Sequence, residues 1–255
     1  MAELYAQWRA MMLSGEAMSL WQSFFVRFYQ AFIEADRWKQ YLGGMVTTLY
    51  TTAMALVIGI LIGVIVAVIR TAHDQQRPGH RNPVLGVVNF ILKIYVTVIR
   101  GTPMMVQLLI MGMVIFASSR NFTLVGALTL GINSGAYVSE IIRGGLMAVD
   151  AGQMEAGRSL GLHYIDTMRF IVIPQAVKAI LPSLGNEFIV LLKDTSLINV
   201  IGGKEMLYAA QGIISRTYEA MYPLLGIALL YLILVMIFSW LLGRFERRLR
   251  QSDRR

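Results

Sequence analysis

The chain of 255 residues has no cysteine. That excludes a disulfide scaffold, a thiol nucleophile and a thiolate metal site. Its three histidines, His73, His80 and His163, are scattered and offer little to a catalytic metal. Charge is scarce too. Only 15% of residues are Asp, Glu, Lys or Arg, against about 25% in an average soluble protein. Hydrophobic residues make up 56%, so too few polar side chains remain to coat a water-soluble fold. What the sequence does have is long apolar runs.

A helix needs roughly 20 mostly apolar residues to cross about 30 Å of hydrocarbon. Residues 46–69 and 223–242 carry no charge and are flanked by Arg70 and Arg244. Residues 121–142 are uncharged until Glu140. Residues 88–117 and 179–201 are apolar but interrupted, the first by Lys93, Arg100 and Pro103, the second by Glu187, Lys193 and Asp194. The expectation is an all-α, polytopic membrane protein with about five spans. Pro103 lacks an N–H and crowds the preceding turn, and Gly101 loosens it further, so the second span is expected to bend there.

Five spans put the termini on opposite sides. Arg70, Arg77, Arg81, Arg143, Arg158, Arg169, Lys178 and six arginines from Arg244 onward fall on one side. Arg9, Arg27, Arg37, Lys39, Arg120, Lys204 and Arg216 fall on the other. The richer side is expected to be cytoplasmic, with the N-terminus outside and the C-terminus inside. The basic tail, 244–255, is then a topology signal near anionic lipid, and the net charge of +8 requires no nucleic acid. Residues 1–43 do not read as a signal peptide. Trp21, Phe24, Phe25, Phe28 and Phe32 recur at helical intervals. An interfacial amphipathic helix and a loosely ordered extension both fit that pattern.

The most informative stretch is residues 150–174, between the third and fourth spans of the 44–243 membrane domain. Residues 153–160 are good helix formers, Gly161 is a natural stop, and a second short helix can begin near Tyr164, with Asp166 favouring its dipole. Pro174 ends or kinks the entry to the next span. The small residues Ala156, Gly157 and Ser159 leave a shallow surface for close packing.

Glu155-Ala156-Gly157, then Gly161, then Ile171-Val172-Ile173-Pro174 match in spacing the signature Glu-Ala-Ala, three residues, Gly, nine residues, Ile-x-Leu-Pro. Gly157 replaces Ala and Ile173 replaces Leu. In these residues the chain resembles the permease subunits of ATP-binding-cassette (ABC) importers. Arg100-Gly-Thr-Pro-Met-Met-Val-Gln107, residues 133–145, Gly152-Gln153, Pro174-Gln-Ala, Leu181-Pro182, Asn186 and residues 192–197 narrow the resemblance to the polar amino acid permeases. It spans roughly residues 41–247.

The resemblance implies a type I importer permease in a bacterial cytoplasmic membrane. The implied partners are two ATPase subunits, a second permease chain (identical or paralogous) and an external solute-binding protein. Magnesium-ATP is implied on the ATPases, with no cofactor on this chain. No phosphate-binding loop occurs; Gly202-Gly203-Lys204-Glu205 lacks both the spacing and the hydroxyl. The resemblance also makes residues 150–174 the coupling loop, with Gln153, Glu155, Ala156, Gly157, Ser159, Gly161, Ile171 and Pro174 at the ATPase.

Charged groups at membrane depth usually face a cavity or one another. Glu140 is a candidate for a substrate ammonium, or a partner of Arg143 three residues on. Asn186 is a candidate substrate contact or an interhelical hydrogen bond. Lys193, Asp194 and Thr195 suit a zwitterion, a contact across a dimer, or gating. Arg100, with Gly101 and Pro103, marks a gate or kink, or Arg100 simply snorkels. Gly59 and Gly63 predict close packing against an unspecified helix. Two other classes remain in view. An ion-driven carrier would use Glu140 and Asp194, but no inverted repeat is visible. An intramembrane enzyme lacks a nucleophile–base pair.

Overall fold

The computed structural model describes residues 1–76 and 82–252. Arg77, His80 and Arg81 of the basic loop, and Arg254 and Arg255 of the tail, lie outside the described residues. Two short helices come first, α1 (Ala2–Ser14) and α2 (Leu20–Phe32). The Ser19 hydroxyl accepts from Gln22 N, and the Gln22 side chain accepts from Ser19 N, a reciprocal cap that starts α2. The long helices are α3 (Arg37–Asp74), α4 (Pro83–Gly101), α6 (Phe122–Met147), α9 (Ile173–Asp194) and α11 (Met221–Ser252). Shorter ones are α5 (Met104–Ile110), α7 (Ala151–Ser159), α8 (Tyr164–Thr167) and α10 (Met206–Thr217). Among the described residues there is no strand. Five of the described stretches are long and apolar enough to cross a membrane: Glu34–Asp74, Pro83–Gly101, Phe122–Met147, Tyr164–Ile201 and Met221–Leu249.

The second apolar segment is two helices, not one bent one. The helix stops at Gly101, Thr102 is extended, and Pro103 caps α5. The reason is local. Pro103 has no N–H to give the Ile99 carbonyl four residues back. Gln107 supplies the missing donor, its Nε2 lying 2.8 Å from Ile99 O and 2.8 Å from the Thr102 hydroxyl. After α5 the chain loosens into a π turn over Met111–Ile115. The fourth segment starts as α8, loosens into a π turn (Met168–Val172), runs through Pro174, and tightens to a 3-10 helix over Thr195–Ile201.

The centre of the bundle is the α3–α6 contact. A methyl on Gly59 would meet Ser134 Oγ at 2.7 Å, and one on Gly63 would meet Val138 Cγ1 at 2.5 Å. The return contacts are Gly131 on Ile58 and Gly135 on Ile62, each at 2.7 Å. Two Gly-x-x-x-Gly stripes therefore interlock, so the partner of Gly59 and Gly63 is α6. Close backbone approach is what small residues give a membrane bundle, where dispersion rather than hydrophobic exclusion drives association. α9 and the 3-10 turn that follows it lie along α6, with Gly145 against Ile180 of α9 and Gly126 against Ile198 of the turn. Tyr41, Leu192, Met206, Ile213 and Ile227 close a second core among α3, α9, α10 and α11.

Candidate substrate pathway and coupling loop

The charged groups expected at membrane depth fall into separate places. Glu140 is held by Arg70 of α3 in an ion pair, with Arg143 Nε at 3.8 Å. Arg143 also pairs with Asp74 at 2.7 Å. His73 lies 3.4 Å from Asp74, and Asn89 of α4 reaches His73 at 3.1 Å. Glu140 is thus part of a four-charge node joining the ends of α3 and α6. The pair with Arg143 is present, but Arg70 is the closer partner. Hydropathy gives no hint of that pair, since Arg70 and Glu140 are 70 residues apart.

Asn186 is exposed on α9, while its neighbour Glu187 is buried and accepts 2.7 Å from Ser134 Oγ. Lys193 is exposed, Asp194 half-buried and Thr195 buried. Thr195 Oγ1 turns back to Leu192 O at 2.7 Å. The pairings of α6 with the fourth segment, Gly145 with Ile180 and Gly126 with Ile198, place Glu140 and Asp194 about three helical turns apart. The structure does not bring them together.

A polar patch forms instead where α4 breaks. The Arg100 guanidinium sits 5.2 Å from the Tyr137 ring centre, a cation–π distance. Asn133 Nδ2 donates to Gln107 Oε1 at 3.0 Å. Asn133 and Tyr137 are one turn apart on α6, so one helix face meets both sides of the break. Gly101 itself has open space around it. Sequence reading also missed Glu205, which is 1% exposed and caps α10 through Leu207 N (2.6 Å) and Tyr208 N (2.7 Å), with Tyr231 Oη at 3.0 Å. Glutamate is not among the side chains favoured at a helix start, chiefly Ser, Thr, Asp and Asn, so the local sequence carries no strong signal for this cap.

The 150–174 loop folds as helix, glycine, helix. Asp150 caps α7 by accepting from Gly152 N at 2.6 Å. Gly161 takes φ +80°, where a side chain is strained. Its N–H donates to Arg158 O (2.9 Å), and that of Leu162 to Gly157 O (3.1 Å), closing the helix end. Gly157 is buried against Thr167. Gln175 Nε2 donates 3.2 Å to Gln153 Oε1, and Tyr164 Oη donates to Gln75, tying the loop to α9 and to the end of α3. Glu155, Ala156, Ser159 and Pro174 are exposed, and Ile171 is half-buried. Leu160 (80%), Ile165 (73%) and Phe170 (65%) add bare apolar surface beside them. A groove of about 610 Å³ opens next to the start of α7, lined by Asp150, Gln175, Lys178, Pro182 and Glu246.

Residues 84–251 match the family described as binding-protein-dependent transport system inner membrane component. The chain belongs to this family. It is accordingly a membrane transport component and not itself an enzyme, and it resides in the inner membrane. Family membership brings an ATPase and a substrate-binding protein as partners in general terms. The glutamine transport system permease protein GlnP of Escherichia coli K12 is 36% identical over 168 residues, 64% of this chain and 77% of that protein. A putative glutamine permease of Rickettsia bellii is 40% identical over 161 residues, 61% of this chain and 72% of that one. A crystal structure of an amino acid ABC transporter with histidines superposes at TM-score 0.74, with 40% identity, covering 82% of this chain and 94% of its own. The inward-facing MetNI methionine transporter shares the fold at TM-score 0.68 and 20% identity, over 85% and 99% of the two chains. The all-helical fold with five candidate spans is that of type I importer permeases.

Proposed function

We propose that this chain is the permease of an ATP-driven importer for a polar amino acid, and that it works as a dimer with an identical or paralogous chain. Two ATPase subunits dock on the 150–174 loop, an external binding protein delivers the substrate, and magnesium-ATP stays on the ATPases. The N-terminus lies outside and the C-terminus in the cytoplasm. The observation that carries this reading is the exposed α7 unit. Glu155, Ala156 and Ser159 stand in water beside bare Leu160 and Ile165, while Gly157, Gln153 and Gly161 are used up in holding the helix in place. A rigid helix presenting mixed polar and apolar surface suits a groove on a partner, and its ties to α9 and α3 give motion of that partner a route into the spans. Each state of the cycle must still be favoured by differential contacts.

For the pathway we propose the exposed Asn186 and Lys193 and the half-buried Asp194 of α9, with the buried Thr195 just beyond it and Arg100 at the α4 break. A lysine facing lipid without a partner is costly, so Lys193 is assigned to the second chain or to a water-filled path. The break at Gly101–Pro103 is assigned to gating. Glu140 is assigned to fastening α3 to α6 rather than to the substrate ammonium.

The test is a mild-detergent pull-down of the tagged chain from its own host with mass spectrometry, followed by uptake of polar amino acids into vesicles loaded with ATP. A stoichiometric nucleotide-binding subunit and ATP-dependent uptake are expected. No such subunit, even after cross-linking, overturns the proposal.

A further inference from the structure

The first forty residues lie outside the family match, which begins at residue 84, and the transport scheme makes no use of them. α1 and α2 nevertheless form an ordered hairpin. Tyr5 stacks on Tyr29 with ring centres 4.3 Å apart, and Trp8 meets Phe25 edge-on at 5.3 Å. The hairpin is fastened to the rest of the chain by charge. Arg9 reaches Glu34 at 2.5 Å, Arg37 reaches Glu34 at 2.8 Å, and Arg27 reaches Glu219 at 3.0 Å. Arg27 is the sole charged residue within α2, and this pair occupies it.

Apart from this paired arginine, the exposed face of α2 is strongly apolar. Leu20 is 93% exposed, Trp21 66%, and Phe24 and Phe28 just over 40%. Their rings form a ladder: Trp21 on Phe24 at 5.6 Å, Phe24 on Phe28 at 5.9 Å, Phe28 on Phe32 at 4.9 Å. The ladder runs without a gap into the spans. Phe32 packs on Tyr41 of α3 at 5.4 Å and against Gly226 of α11, and Phe24 meets Tyr222 at the start of α11 at 5.7 Å. From there the exposed apolar surface continues down α11 through Leu225, Leu229 and Leu232. An aromatic face whose one charge is paired, at the level where two spans begin, matches the chemistry of the boundary between water and hydrocarbon, where Trp and other amphipathic rings concentrate.

We propose that α2 lies in that boundary, with Leu20, Trp21, Phe24 and Phe28 seated among headgroups and upper acyl carbons, and that the α1–α2 hairpin is a lipid anchor for the ends of α3 and α11. The occupant of the face is lipid. The external binding protein docks elsewhere.

The chain has four tryptophans. Trp8→Phe, Trp38→Phe and Trp240→Phe together leave Trp21 as the single indole. The full chain is reconstituted in phosphatidylcholine vesicles carrying bromine either near the headgroup end or near the terminus of the acyl chain. Strong quenching by the shallow bromine is expected, with acrylamide quenching about threefold or more below that of a water-exposed indole. Free quenching by acrylamide with none from either lipid overturns the proposal. So does shielding that appears only when the binding protein is added. A second measurement avoids the triple substitution. The chain has no cysteine, so a nitroxide on Leu20→Cys reports collision with oxygen against a water-soluble nickel complex. Preference for oxygen supports lipid seating, and preference for nickel overturns it.

Discussion

Ser134 Oγ on α6 donates across 2.7 Å to Glu187 Oε1 on α9, joining two spans through residues 53 positions apart. Both side chains are buried, so neither has water as an alternative. Ser134→Ala leaves a carboxyl group without this donor. Interhelical hydrogen bonds in membrane proteins contribute about 0.6 kcal/mol on average and up to about 1.7, and the upper end is expected here. Glu187→Gln keeps an acceptor oxygen and is expected to cost less. Thermal unfolding of the purified chain in detergent, followed by its tryptophan emission, checks the order. Equal losses for the two variants would mean the bond does not hold the spans.

Gly63 and Gly86 carry the same substitution with opposite expected sign. A methyl on Gly63 would lie 2.5 Å from Val138 Cγ1, whereas one on Gly86 meets nothing within 4 Å. Gly86→Ala gains helix propensity, about 0.5–1 kcal/mol. Gly63→Ala must push α3 from α6, and overpacking costs about 1–3 kcal/mol. Thermal unfolding in the same detergent should rank Gly86→Ala above the parent chain and Gly63→Ala below it.

Gln107 and Pro103 are expected to be coupled. Gln107→Leu strands the Ile99 carbonyl that Pro103 cannot serve. In a Pro103→Ala background the backbone amide is restored and the helix can close, so the cost of Gln107→Leu should fall by about half or more. A double-mutant cycle on unfolding stability measures this. An unchanged cost would assign Gln107 to its other bonds, with Thr102 and Asn133.

These pairs mark the limit of what the sequence shows. The spans α3 and α11 are legible because charge-free runs reveal hydrocarbon without any knowledge of partners. The helix–glycine–helix loop is legible because Gly161 and Pro174 act on their own neighbours. Arg70 with Glu140 and Ser134 with Glu187 are not, since partner choice across 70 and 53 residues depends on which helix faces pack. The same holds for Gly59 and Gly63, where the stripe is visible but its partner α6 is not. The α2 cap is different. Ser19 followed three residues later by Gln22 is a readable start signal, and it separates an ordered helix from a loose extension on local chemistry alone.

Gly157 stands where the resembled signature has alanine, and the structure gives a physical reason for the change. A Cβ there would meet Thr167 Cγ2 at 2.5 Å and Oγ1 at 2.7 Å. Thr167 cannot swing away freely, because it is buried and its hydroxyl donates 3.1 Å to His163 O. Glycine at 157 and threonine at 167 are thus a matched pair across the α7–α8 corner. Gly157→Ala is expected to displace α7 and weaken retention of the ATPase in a detergent pull-down by about tenfold, the equivalent of about 1.4 kcal/mol. Adding Thr167→Ala removes both clashing atoms and should restore retention. Glu155→Arg serves as the contrast. It alters an exposed side chain, so retention should fall with unfolding stability unchanged and with no rescue by Thr167→Ala. If Gly157→Ala retains the ATPase fully, the corner yields more easily than its packing implies. If Glu155→Arg does so, Glu155 is not at the docking surface.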